Sequence, residues 1–321
     1  MHLYAPPPPL PADPLVFGFW KVDRAICEDV AYEAIRAGYR RLDCACDYGN
    51  EVEVGRGIAR AIEDGLCTRS DLFITSKLWN TYHAPEHVPL ALDRTLSDLS
   101  LDYVDEYLIH FPISMEFVPF ESKYPPEWTN ASGKMVVVAN DMGKTWEAME
   151  ALVGTGKTRT IGICNFSTQL IRQLLSTATI RPSTLQIEVH PHNAQSKLIR
   201  FARECGLAVT AFSVFGPSSY IELDMACEND LLMTDPTVVD IATAHGKSPA
   251  QVLIRWAMQR HTLPLCKSSK PERMKENRNV FDFELNSDEI GRIDALDKRR
   301  RYNDPGVFCE AGMGTFCPIY E

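Results

Sequence analysis

Arg40-Arg41-Leu42-Asp43-Cys44-Ala45-Cys46-Asp47-Tyr48-Gly49-Asn50-Glu51 reads as a short buried strand that runs out into polar residues. Two further stretches share that form: Leu72-Phe73-Ile74-Thr75-Ser76-Lys77 and Asp105-Glu106-Tyr107-Leu108-Ile109-His110. In a parallel β/α barrel the carboxyl ends of all strands open onto one face, where the βα loops build the site. Asp43, Tyr48, Lys77 and His110 are then expected to converge despite their separation in sequence. A phenol, an ammonium, a carboxylate and an imidazole in one pocket can pass a proton to a carbonyl oxygen, given a hydride donor alongside.

Working outward, short apolar runs near residues 39–43, 72–77, 105–110, 159–163, 184–187, 207–212, 263–266 and 280–283 read as eight strands. Most gaps between them hold one amphipathic helical pattern. Over 24–37 the spacing puts Ile26, Val30, Ala34 and Ala37 on one helix face, and 94–99 and 147–152 behave similarly. Ser248-Pro249-Ala250-Gln251 predicts a helix start, with an N-cap, a proline at the first helical position and a capping-box glutamine. Trp256 then falls on the buried face. Strands alternating with helices imply right-handed crossovers and a parallel sheet. The first strand is followed by no Gly-x-Gly-x-x-Gly, and Gly162 is isolated, which removes support from a dinucleotide-binding open sheet. The expected fold is α/β, a single (β/α)8 TIM barrel over residues 1–321. Two long loops, 111–143 and 213–234, are expected to shape a pocket on the carboxyl face. The tail from Arg299 to Glu321, with Tyr302, Phe308, Phe316 and Tyr320, reads as a packed C-terminal flap rather than a helix.

The 321 residues carry a net charge of −10, which argues against general binding of nucleic acid or anionic membranes. A local basic cluster can still receive an anionic ligand. Ten cysteines scattered through apolar contexts predict reduced, mostly buried thiols and a cytoplasmic protein rather than a disulfide framework. Pro6–Pro9 reads as an extended arm and not as a secretory leader.

The stretch Gly38–Glu51, with its Gly-x-Arg-x-x-Asp-x-Ala-x-x-Tyr-x-Asn-Glu pattern, resembles the aldo-keto reductase superfamily. Thr75–Trp79, Ile109–Pro112, Gln186–Pro191 and Lys267–Ser269 carry the same resemblance, which covers nearly the whole chain. Phe117–Pro126, Phe215–Ser219 and Tyr302–Pro305 are similar to the xylose-reductase branch. The resemblance implies reduction of aldehydes with NADPH (NADH as the alternative), without a metal. It implies a catalytic group of Tyr48 as general acid, Lys77 to lower its pKa, Asp43 to hold the lysine, and His110 to orient the carbonyl. It assigns the nicotinamide carboxamide to Asn165 and Gln186, stacking to Phe212, and the pyrophosphate loop to Ser213 and Gly216. Lys267, Ser268, Ser269 and Arg273 match an adenosine 2′-phosphate site, with Glu276 and Asn277 near the adenine. Three positions depart from the family pattern: Cys164 for serine, Phe212 for tyrosine and Ser269 for asparagine. A thiol is the weaker hydrogen-bonding group, whereas stacking survives the loss of the hydroxyl.

For substrate, the resemblance implies Trp20 and Phe111 as apolar walls, with Asp47 and Asn303 reading sugar hydroxyls. Between Lys267 and Arg278 five basic residues face two acidic ones, a local surplus that suits a phosphate. Cys44-Ala45-Cys46 has no second cysteine pair at zinc spacing, Pro85 spoils a helical pair of His83 and His87, and His190 reads as a strand end. The expected function is NADPH-dependent reduction of an open-chain aldose such as D-xylose to an alditol, on a small-molecule partner, with a homodimer possible in this branch. The alternatives are an aldose 6-phosphate reductase, a broad-specificity aldehyde reductase, and a nucleotide-binding scaffold without turnover. The long 111–143 loop offers only Lys123 and Lys134 against Glu116, Glu121 and Glu127, a balance that favours a neutral sugar.

Overall fold

In the computed structural model, which describes residues 3–130, 132–315 and 318–320, eight parallel strands close into a barrel in chain order. They are β1 (Val16–Gly18), β2 (Arg41–Asp43), β3 (Phe73–Leu78), β4 (Val104–Ile109), β5 (Thr158–Cys164), β6 (Thr184–Glu188), β7 (Ala208–Phe212) and β8 (Leu263–Cys266). Around them run α1 (Arg24–Arg36), α2 (Glu51–Glu63), α3 (Val88–Leu99), α4 (Met142–Thr155), α5 (Thr168–Thr177), α6 (Ser196–Glu204), α7 (Pro236–His245) and α8 (Pro249–Gln259). After β8 come α9 (Pro271–Arg278), α10 (Ser287–Asp294) and two short tail helices, α11 (Pro305–Phe308) and α12 (Glu310–Met313). Every residue of β4 is buried, as expected of a parallel strand covered on both faces. The capping box at Ser248 forms as its sequence predicts, and Trp256 is buried.

Four expectations need correction. Residues 280–283 form a loop beyond α9, and the eighth strand is instead β1. Val280 is apolar because it plugs the core, whereas Phe281 is 47% exposed. With only three residues, β1 carries too short a pattern to stand out from the prolines before it. In α1 the buried face is Cys27, Val30, Ala31, Ala34 and Ile35, so Ile26 faces solvent and Ala37 is the C-cap. The tail is partly helical, through α11 and α12, while Phe316 lies outside the described residues.

Close packing explains several small residues. A Cβ at Gly162 would meet Leu108 Cδ2 at 2.6 Å and the Thr184 carbonyl at 2.8 Å, so this strand position must lack a side chain. At Gly57 a Cβ would run into the Glu28 carbonyl of α1, which lets the first two helices approach closely.

Glu51 ties α2 to its neighbours. Its carboxyl receives Ser76 Oγ of β3 at 2.6 Å and Thr95 Oγ1 of α3 at 3.1 Å. Burial pushes this group up to about 8, with the two hydroxyls opposing that shift. The folded protein therefore retains a proton that the unfolded chain releases above its ordinary range of about 4. Fewer protons are bound on unfolding, so stability is expected to fall as pH rises from about 5 to about 8. The loss from this one group is on the order of a few kcal/mol. Glu51→Gln keeps the shape without the titration and should flatten the urea midpoint against pH over that window. An unchanged slope would show that Glu51 ionises normally.

Candidate active site

Strand geometry delivers the residues expected to be catalytic from below. Register pairs Asp43 at the end of β2 with Thr75, and Lys77 lies two residues further along β3 on the same inward face. Ser76 points the other way, to Glu51 on the helix layer. A single turn of 3-10 helix, Cys46–Tyr48, follows β2 and ends at Gly49, whose φ of 70° a side chain would resist. This turn folds Tyr48 back over Lys77.

Lys77 is fully buried and uses all three ammonium hydrogens. They go to Asp43 Oδ2 at 2.7 Å, the Cys44 carbonyl at 2.8 Å and Tyr48 Oη at 3.0 Å. Tyr48 Oη is also 3.4 Å from Asp43 Oδ2. Burial works against the lysine charge, but Asp43, Cys164 and Asp47 together more than offset it, and the Lys77 pKa lies above its usual value. Tyr48 departs from expectation. Burial first, then Asp43 and Asp47, hold the phenol well above its ordinary range rather than below it. The ammonium is already neutralised by Asp43, so little of its field remains for the phenol.

Above these groups lies a cleft of about 550 Å³ lined by Trp20, Asp43, Asp47, Tyr48, His110 and Phe111, among others. His110 Nδ1 is 3.2 Å from Asp47 Oδ1, yet neither atom makes a hydrogen bond of proper geometry. Asn165 Oδ1 and Trp79 Nε1 are likewise buried without a partner. All four residues line the cleft. Buried polar atoms are rarely left unpaired, so these are the atoms a ligand would satisfy.

The residues expected to hold a nicotinamide fit that group in part. Asn165 Nδ2 donates to the His110 carbonyl at 2.9 Å, which leaves Oδ1 turned free for an amide N–H. Gln186 also lines the cleft, and its Nε2 donates to Asp43 Oδ1 at 2.7 Å, so its amide braces that carboxylate. Phe212, Ser213, Gly216 and Lys267 line the cleft, whereas Cys164 is buried behind it with its thiol pushed up by burial. Ser268 sits before α9 and receives the Lys270 N–H at 3.1 Å. Ser269, Arg273 and Glu276 are exposed, and Asn277 is buried. Arg273 makes no ion pair among the described residues, leaving its planar donors open to an anion.

One side of the cleft is an aromatic wall. Trp79 packs edge-on against His110, Phe111 and Trp128, with ring centroids 5.3, 6.2 and 4.8 Å apart. Trp128 comes from the long loop after β4, and Phe308 of α11 closes on it at 5.5 Å. Asn303 lines the same cleft from the tail. Glu127 stands at its edge, paired with Lys123 at 2.8 Å.

Sequence reasoning did not assign Lys21, Trp79, Trp128 or Tyr220 to the site, yet all four line the cleft, as does Glu127 of the long loop. Trp79 was legible, because it closes the Thr75–Trp79 motif directly after a strand. Lys21 left a weaker trace. It adopts a left-handed backbone with φ of 59°, pairs with Glu222 and donates to the Ser219 carbonyl at 2.9 Å. This strap ties the loop after β1 to the loop after β7 across the rim. His190, expected merely to end a strand, binds Glu188 instead, and that strand is the sixth of the barrel. Among the described residues no group of three or more His, Cys, Asp or Glu is placed to hold a metal ion, and no helix is long and apolar enough to cross a membrane.

The sequence model of the aldo/keto reductase family matches residues 14–298. The probable NAD(P)H-dependent D-xylose reductase xyl1 of Emericella nidulans is 51% identical over 295 residues, 91% of this chain and 92% of that protein. The NAD(P)H-dependent D-xylose reductase I,II of Candida tropicalis is 51% identical over 296 residues, 91% of each chain. The solved aldose reductase of Schistosoma japonicum superposes with a TM-score of 0.84 at 34% identity, covering 98% of this chain and 95% of that one.

Proposed function

The chain belongs to the aldo/keto reductase family, and from that membership we propose that Tyr48, Lys77, Asp43 and His110 carry its reaction. It is an NAD(P)H-dependent oxidoreductase that reduces the aldehyde of an open-chain aldose to an alcohol. The observation that carries the site assignment is Lys77 Nζ lying between Asp43 Oδ2 and Tyr48 Oη at the base of the cleft.

A reduced nicotinamide, when bound, supplies hydride to the aldehyde carbon. Tyr48 Oη gives its proton to the carbonyl oxygen, so one hydride and one proton turn the aldehyde into an alcohol. As the phenolate forms, the Lys77 N–H already aimed at Oη meets the growing charge, and Asp43 keeps the lysine protonated. Such preorganised donors act without reorganising at the moment of reaction. His110 holds the carbonyl oxygen in place. Asn165 Oδ1 would receive the carboxamide, Phe212 would stack on the ring, and Ser213 and Gly216 would lie along the pyrophosphate, while Cys164 supports this wall from behind the cleft. Gln186 lines the cleft beside Asn165 and would meet the carboxamide while its Nε2 braces Asp43.

Lys267, Ser268, Ser269 and Arg273 take the 2′-phosphate, with Glu276 and Asn277 beside the adenine, which makes NADPH the preferred donor. Arg273→Leu is expected to lower the NADPH-to-NADH ratio of kcat/KM about tenfold, the worth of one charge-assisted contact. An equal loss with both cofactors would sink the phosphate assignment.

Trp20 and Phe111 wall the substrate, and Asp47 and Asn303 read its hydroxyls. Asp47 Oδ1, buried without a partner, supports a hydroxyl-reading role. Glu127 at the mouth is paired with Lys123, but the 111–143 loop keeps a surplus of carboxylates that disfavours a sugar phosphate by like charge. D-xylose is therefore the substrate we propose, tested by the loss of nicotinamide absorbance with D-xylose, glucose 6-phosphate and an aromatic aldehyde in parallel. Turnover of the aromatic aldehyde alone would keep the chemistry and remove the sugar. A cytoplasmic location is part of this reading and is supported by the nine free cysteines of the described residues. So is a homodimer, which rests on family resemblance alone.

A further inference from the structure

Glu188, the last residue of β6, is completely buried and yet touches nothing that reacts. Its Oε1 receives the Tyr302 backbone N–H at 2.8 Å, and its Oε2 receives the Asn303 backbone N–H at 2.8 Å. His190 Nε2 lies 2.7 Å from Oε1, and because a carboxylate only accepts, this nitrogen carries the hydrogen. Burial opposes the charge, but His190, the Tyr302 N–H and the nearby Arg301 hold the carboxyl below its usual range. The Glu188 carbonyl is itself fixed by Gln195 Nε2 at 2.7 Å and Asn193 Nδ2 at 3.3 Å.

The consequence lies at the tail. Residues 302–303 belong to no regular element, and the next helix, α11, has four residues. A segment of that kind owes its position to whatever binds its backbone. Tyr302 is gripped three ways: by the carboxylate, by His192 Nδ1 against its hydroxyl at 3.1 Å, and by Tyr220 stacked at 5.9 Å. Asn303, directly beside it, is held through the second carboxylate oxygen and lines the cleft.

We propose that Glu188 is a positioning residue for substrate selection: its two oxygens fix the Tyr302–Asn303 backbone so that the Asn303 amide meets a hydroxyl of a polyhydroxylated aldehyde. The inference rests on the reading of Asn303 as a sugar contact. A glutamine at position 188 retains one accepting oxygen for Tyr302 and His190, while its NH2 is left opposing the Asn303 N–H. The substitution therefore frees Asn303 selectively.

Glu188→Gln is expected to raise KM for D-xylose about tenfold, the worth of one hydroxyl contact, with kcat within threefold. Its kcat/KM for an aromatic aldehyde without hydroxyls should stay within twofold. Asn303→Ala should raise the xylose KM by a similar factor, and Glu188→Gln added to it should do nothing more. Equal damage to both aldehydes in Glu188→Gln means a merely structural role and overturns the proposal. If Asn303→Ala acts and Glu188→Gln does not, Glu188 positioning alone is wrong. If Asn303→Ala leaves the xylose KM unchanged, the sugar contact itself falls, and the proposal with it. Amide exchange in the unsubstituted protein tests the clamp without any variant. The Tyr302 and Asn303 amides should exchange slowly for so terminal a segment, and rapid exchange would overturn the proposal even if Glu188→Gln fails to fold.

Discussion

Tyr48→Phe is expected to lower kcat for aldehyde reduction by about a thousandfold, within the range a positioned general acid supplies. NADPH affinity, read by fluorescence titration, should change by less than about threefold. The phenyl ring keeps the volume of the tyrosine between Lys77 and the cleft, so the barrel is undisturbed. What disappears is the proton at Oη and the oxygen that Lys77 addresses at 3.0 Å. Within hydrogen-bond reach of that point the chain offers few other donors. His110 also lines the cleft, and in the proposed mechanism it holds the carbonyl oxygen rather than replacing the phenol. Nearly full activity in the variant would refute the assignment of Tyr48 as acid. Loss of cofactor binding in parallel would mean that the ring matters to the nicotinamide pocket instead.

Lys77→Met should cost both stability and activity. The lysine and Asp43 form an ion pair 2.7 Å long with side-chain exposures of 0% and 1%. Removing one partner leaves a buried charge without compensation, a loss of about 3–5 kcal/mol. The Cys44 carbonyl and Tyr48 hydroxyl lose a donor at the same time. Lys77→Met combined with Asp43→Asn removes both charges and still lets Gln186 donate to the oxygen at position 43. The double variant is therefore expected to regain roughly half of the lost stability in urea denaturation, since a neutral pair needs no desolvated charge. It should regain no turnover, because the ammonium that meets the developing phenolate is gone. A double variant no more stable than the single would show that the lysine serves packing rather than charge balance. Recovery of turnover would remove Lys77 from the mechanism.

How far these residues could be read without coordinates differs from place to place. Asp43, Tyr48, Lys77 and His110 each follow an apolar run at a strand end, and a barrel brings such ends together whatever the details of its helices. The mistaken strand at 280–283 and the missed β1 have one cause. Short apolar runs have the same composition whether they pair in a sheet or plug a core, and three residues carry too little pattern to separate the two. Ile26 was placed inward because helical spacing fits two neighbouring faces, and only the contact with α2 selects the face of Cys27 and Ala31.

The sequence by itself determined the alternation of strands and helices, the helix start at Ser248, and the residue types waiting at the strand ends. These follow from side-chain periodicity and capping, which act over a few residues. Only the tertiary structure decided that Gln186 braces Asp43 across 143 positions and that Glu188 holds Asn303 across 115. It also decided that the Tyr48 phenol lies above its ordinary range, because burial and the nearby Asp43 and Asp47 carboxylates act on it only in the folded chain. Proton affinity and hydrogen-bond choice depend on distance and dielectric in three dimensions, and neither quantity is carried by the order of residues along the chain.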